Sequence, residues 1–218
     1  VKKQALTVIA LLCSAAMTLQ AADLSANIGW NSNYVFRGVS QETSSANGGL
    51  DLEASGFYIG TWTASVNPGL EVDLYGGYNG TYKEFNYGIG ATGYYYTDNF
   101  DDTYQEINLN GGWKFLSIEA AIGQYDNFSG PTQDYVFLAG KAEYRNFYAL
   151  IGGFTNDLEG SYVELGYGDT LTIGETNLFD WSLTLVFRGS DLPTSGAGDD
   201  TYLNLGFTKS FAINLPNR

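Results

Sequence analysis

From residue 23 onward, apolar and polar side chains alternate in blocks of roughly ten residues set off by turn-forming residues. In "GLEVDLYGGY", Leu70, Val72, Leu74 and Tyr78 fall on one side and Glu71, Asp73 and Gly77 on the other. "EINLNGGWKF" sets Ile107, Leu109, Trp113 and Phe115 against Glu106, Asn108, Asn110 and Lys114. "LFDWSLTLVFR" sets Phe179, Trp181, Leu183, Leu185 and Phe187 against Asp180, Ser182, Thr184 and Arg188. Successive strand side chains point to opposite faces, so a period of two is the mark of a strand with two unlike environments.

Read this way, the chain predicts twelve strands, near 24–39, 47–55, 57–66, 69–79, 84–97, 104–114, 116–125, 133–144, 146–156, 160–168, 177–188 and 200–213. Alternation is weakest over 133–156. Such lengths suit tilted strands that cross a bilayer. Long links "QETSSAN", "DNFDDT", "DNFSGPTQ" and "GSDLPTSGAGD" are interspersed with short ones such as Ser55-Gly56, "KFL" and "YRNF". That rhythm predicts an up-and-down antiparallel barrel with outer loops at one end and tight turns at the other. "VNPG" and "GDTLTIGETN" fit it loosely, the second as a long turn at the short-turn end. Acidic residues gather in the outer set, from Glu42 through Asp98, Asp101, Asp102 and Asp126 to Asp199 and Asp200, while Lys83, Lys114 and Arg145 fall at the opposite end.

The first residues change the picture of where the chain resides. Lys2 and Lys3 precede the apolar run "ALTVIALLCSAAMTL", and "LQAAD" offers a cleavage site after Ala21 or Ala22. Residues 1–22 are therefore expected to be an export signal and residues 23–218 the barrel. Cys13, the only cysteine, would leave with the signal, so no disulfide is expected. Removing two lysines takes the formal charge from −14 to −16, which argues against nucleic acid as a partner. After the signal there is no apolar run long enough for a spanning helix, so a membrane location requires a closed barrel. A secreted β-sandwich also alternates. Against it stand Trp and Tyr near strand ends, which resemble the two aromatic girdles of a membrane barrel: Tyr78, Trp113, Phe115, Tyr167 and Trp181 at one end, Tyr34, Phe36, Tyr95 and Phe187 at the other.

Six stretches carry a family resemblance: "NIGWNSNYVFRGVSQ", "GFYIGTWTASV", "EVDLYGGYNG", "YGIGATGYYY", "FDWSLTLVF" and "YLNLGFTKSF". Together they resemble the TorF-family porins of Gram-negative bacteria over nearly all of residues 23–218. The resemblance implies an outer-membrane β-barrel that acts as a porin. It implies no site residues.

Chemistry narrows the reading further. The chain has no histidine, so Ser-His-Asp catalysis and histidine metal sites are unavailable, and no enzyme activity or cofactor is expected. Asp98, Asp101 and Asp102 in "DNFDD" form an oxygen-rich cluster for a hard cation, but without the spacing of a known calcium loop. Arg37 and Arg188 share the polar parity of their strands and are expected to line a pore on one arc. Glu71, Asp73 and Glu106 would lie across from them, creating a transverse field. Arg37 paired with Asp51 as a strand staple is the alternative. Below the rim, Asp51, Glu53, Glu119, Glu143, Glu164 and Asp180 face Lys114, Lys141 and Arg145, an acidic excess that predicts mild cation preference. The expected partners are small hydrophilic solutes, membrane lipid and lipopolysaccharide. Two rivals stand beside a narrow passive porin: a plugged structural or adhesion barrel with acidic outer loops, and a soluble secreted β-protein that binds sugars.

Overall fold

The computed structural model describes residues 22–192 and 201–214. The expected export signal lies outside them but for Ala22, and Asp199 and Asp200 lie outside them as well. Twelve strands follow one another: β1 (Asp23–Phe36), β2 (Val39–Ala54), β3 (Phe57–Ser65), β4 (Leu70–Tyr82), β5 (Phe85–Tyr96), β6 (Tyr104–Trp113), β7 (Leu116–Tyr125), β8 (Gln133–Tyr144), β9 (Phe147–Asn156), β10 (Gly160–Ile173), β11 (Thr176–Arg188) and β12 (Thr201–Ile213). Each pairs antiparallel with the next, and β12 returns to β1 with Leu24 opposite Ile213 and Asn31 opposite Gly206. Closure leaves no unpaired sheet edge, which is what a strand protein needs where water is absent.

The outward face is apolar. Ile28, Ile59, Ile89, Ile118, Leu138, Ile151 and Leu203 are each more than half exposed. Their in-strand neighbours of opposite parity face inward and are polar, glycine or aromatic, except Ala139 and Leu150, which pack against an inner cluster. An apolar belt running around a cylinder is far larger than the patches a water-soluble surface carries, so this exterior is matched to hydrocarbon. The secreted β-sandwich is thereby overturned, because the apolar parity is on the outside.

The two ends differ. The lower end has five two-residue turns, Ser55-Gly56, Lys83-Glu84, Lys114-Phe115, Arg145-Asn146 and Gly174-Glu175. The first residue of each has positive φ, between 52° and 62°. The stretch 168–177 is therefore strand on both sides of a tight turn, not the long turn expected. The upper end carries the links at 97–103 and 126–132 and residues 189–192 after β11.

A larger correction concerns the first hairpin. "QETSSAN" (41–47) is not a loop but part of β2, the longest strand at 16 residues. The turn is Arg37-Gly38, with φ of 47° and 81°, the left-handed pair that a two-residue hairpin requires. The segment looked like a loop because it rises to the outer end of the barrel, where apolar alternation is no longer demanded. At the register shift between Tyr34 and Val35 the extra residue is Gln41 of β2, which faces no partner on β1. Tyr34 and Phe36, expected in the outer girdle, are turned inward: Tyr34 is buried, and Phe36 packs 5.5 Å from the lumen-facing Tyr94.

Candidate functional site

The inward-turned hairpin makes the upper barrel a packed chamber. Ala121, Phe137, Tyr162, Val186 and Leu192 form one buried cluster, joined by Val35 and Val39 from either side of the hairpin tip. Tyr34, Ala64 and Val66 form a second, with Phe36, Trp62 and Phe100 against it. Gly38 sits where a Cβ would come within 2.7 Å of Tyr162 and 2.8 Å of Leu192, so the tip touches β10 and the last outer link.

Arg37 extends from that tip across the lumen. Its two terminal nitrogens donate to Glu106 on β6 at 2.8 and 2.9 Å, and Nη2 also donates to Glu119 on β7 at 2.9 Å. The guanidinium lies over the rings of Phe137 at 4.2 Å and Phe36 at 4.9 Å. Glu106 is saturated: Tyr94, Tyr135 and Asn108 donate to it as well, at 2.7, 2.9 and 2.7 Å. A bidentate, fully hydrogen-bonded pair of this kind holds a fixed geometry. Two expectations fall here. Arg37 does not staple to Asp51, which instead accepts from Tyr75 at 2.5 Å. Nor do Arg37 and Glu106 stand apart as arcs of opposite charge; the arginine bridges the gap, because a tight turn lets the tip lean inward.

The other candidates lie as follows. Arg188 is buried at the top of β11 and donates from Nη2 to the Leu192 carbonyl, tying the last outer link down over the tip. Glu71 and Asp73 are buried on β4. Tyr34 donates to Glu71 Oε1 at 2.9 Å, while Glu71 Oε2 and Asp73 Oδ1 have no hydrogen-bond partner. Below them Tyr148 donates to Glu164 at 3.2 Å, and Lys141 pairs with Glu143 at 2.9 Å. Lys114 and Arg145 belong to the lower turns rather than the wall, each close to the aromatic ring that precedes it. What sequence reasoning missed was Tyr135 and Phe137, which lie where alternation is weakest, and their convergence with Tyr94 on the Arg37–Glu106 pair.

The acidic outer cluster does not gather into a cation cage. Asp101 accepts from Tyr104 at 3.1 Å and Tyr125 at 2.7 Å, and Asp102 accepts from the Thr103 and Phe128 amides. These carboxylates fasten the 97–103 and 126–132 links to each other. Among the described residues no group of three or more acidic, histidine or cysteine side chains is placed to hold a metal ion.

The lower barrel is hollow. A cavity of about 520 Å³ lies there, its wall made of Asn, Thr and Ser residues, Glu119, Lys141 and several glycines, with Tyr87, Ile118, Ala139 and Leu150 among them. Glu119 faces both compartments: it lines the cavity and takes one arm of Arg37.

A closed twelve-stranded cylinder with an apolar outer face and its charged side chains turned within defines the class of membrane-spanning β-barrels. The chain belongs to the Gcw_chp family, described as a bacterial protein of unknown function, whose model matches residues 15–203. That match does not itself carry the resemblance to TorF-family porins. No curated protein matches the chain. Among solved structures, a protein from work on the in-meso crystallization of membrane proteins is 8% identical, with a TM-score of 0.60 over 88% of this chain and 84% of that one. OccK2 (OpdF) of Pseudomonas aeruginosa is 10% identical, with a TM-score of 0.43 over 91% and 69%. A bacterial polysaccharide outer membrane secretin is 12% identical, with a TM-score of 0.42 over 91% and 100%. The first of these likenesses is one of fold alone.

Proposed function

We propose that this protein is an outer-membrane channel for small hydrophilic solutes, entered from the lower end and restricted above by the β1–β2 hairpin tip. The observation that carries the reading is the hollow inside an apolar cylinder: a purely structural barrel has no need of a cavity whose wall carries Asn, Thr, Ser, Glu119 and Lys141 beside its apolar residues. No covalent step is involved. Passage is set by lumen width and wall charge, and the Arg37–Glu106–Glu119 bridge forms the narrowest point.

Wall charge supports mild cation preference. Arg37 and Lys141 each already face a carboxylate, whereas Asp51 is met by a tyrosine hydroxyl, Glu164 shares Lys141 with Glu143, and Glu71 and Asp73 pair with no basic residue. In planar bilayers under a KCl gradient, the refolded protein is expected to pass small currents with a reversal potential of cation-selective sign, weakening at high salt. Arg37→Ala should raise the conductance severalfold by releasing the tip. A wild type and an Arg37→Ala variant that both pass no current, and that admit no small sugar in liposome swelling, would favour the plugged structural barrel. That second reading rests on the packed upper chamber.

A further inference from the structure

The carboxylates of Glu71 and Asp73 are the two groups in the upper chamber that the bridge does not use. They are two residues apart on β4 and share its inward face, and the charge of Glu71 acts on Asp73. Glu71 is 1% exposed and Asp73 8%, so water does not solvate them freely. Burying one carboxylate without a partner is costly, and burying two side by side more so. Nothing cationic on the neighbouring strands answers them. The residues directly opposite Glu71 are Ala64 on β3 and Tyr96 on β5; those opposite Asp73 are Trp62 and Tyr94. Arg37 is committed to Glu106 and Glu119; Arg188, on β11, donates from Nη2 to a backbone carbonyl and leaves its buried Nε without a partner rather than pairing with either carboxylate.

Two of their oxygens, Glu71 Oε2 and Asp73 Oδ1, are buried and unpartnered, whereas the equally buried Glu106 has donors on both oxygens. The surroundings are otherwise rich in neutral oxygen: the Tyr34 hydroxyl, which donates to Oε1, and the Tyr96 hydroxyl on the adjacent strand. Asp101, whose charge also reaches Glu71, is tied to Tyr104 and Tyr125.

We propose that Glu71 and Asp73, with the Tyr34 hydroxyl, hold a hard divalent cation of the calcium class inside the upper barrel. Two carboxylates neutralise one such ion, and carboxylate and hydroxyl oxygens are the ligands it prefers. The ion takes the place of the basic residue the site lacks and ties β4 to the inward-turned end of β1 through Tyr34. Its binding does not require conduction, so a barrel that passes no current can still hold it.

Terbium, a luminescent stand-in for calcium excited through nearby tyrosines, tests the site in full-length protein refolded in detergent and stripped with chelator. Saturable luminescence that calcium displaces is expected. Glu71→Gln/Asp73→Asn should abolish it, and Tyr34→Phe, which keeps both carboxylates, should weaken it about tenfold. Asp98→Asn/Asp102→Asn should leave it unchanged. If the double carboxylate variant does not refold, Tyr34→Phe decides: unaltered affinity there overturns the assignment. So does luminescence lost only in the Asp98/Asp102 variant, which would place the ion in the outer link. Absence of saturable binding to the wild type also overturns it and leaves protons as the counter-charge.

Discussion

Arg37 is the side chain on which the upper barrel turns. Both its partners are distant in sequence, Glu106 by 69 residues and Glu119 by 82, and the Glu106 side chain is fully buried. Truncating one member of such a pair strands the other charge, so Arg37→Ala or Glu106→Ala should each cost about 3–5 kcal/mol. Urea titration of the refolded protein measures that loss. Arg37→Met/Glu106→Gln should cost clearly less than the two single losses combined, because no lone charge remains and Tyr94, Tyr135 and Asn108 still meet the amide. That Arg37 faces away from lipid was readable from its parity and charge. Its partner was not: alternation tells which face a residue takes and is silent on which far strand it meets.

The hairpin β1–β2 shows why element ends resist sequence reading. Over 69–78 or 106–115 each residue must choose hydrocarbon or lumen, and the choice writes a period of two into the sequence. Beyond the belt the constraint lapses, and "QETSSAN" pairs as strand while carrying the Ser, Asn and Glu of a loop. The clue that was available is Gly38, directly after an arginine at the end of a bulky run, since a two-residue turn needs left-handed backbone. Gly38→Ala probes the element directly. Its φ of 81° and the 2.7 Å approach to Tyr162 mean that a methyl group both strains the turn and pushes the tip off β10. A loss of about 1–3 kcal/mol is expected. If the tip restricts the lumen, the same substitution should raise single-channel conductance, as Arg37→Ala does. Loss of stability with no change in current would leave the hairpin a packing element alone.

The cylinder as a whole was the most readable feature, because one physical demand repeats in all twelve strands. Within the belt, inward residues meet the lumen or its packed side chains, and outward ones such as Ile89, Leu109 and Leu183 meet hydrocarbon. Leu109 and Asn110 are adjacent near the middle of β6 and take opposite sides: Leu109 is exposed on the belt, and Asn110 lines the lower cavity. Arginine at each position reports on the two solvents separately. Leu109→Arg should destabilise the protein by about 2–4 kcal/mol in lipid vesicles, the penalty for a cation at bilayer mid-depth. Asn110→Arg should fold with near wild-type stability, since its side chain enters a polar cavity that already holds Glu119, and it should shift the reversal potential toward anions. The contrast is expected to shrink in urea titrations on detergent micelles, where water reaches the belt more easily. Equal penalties at the two positions would mean that lipid does not surround this barrel, and the channel reading would fail with it.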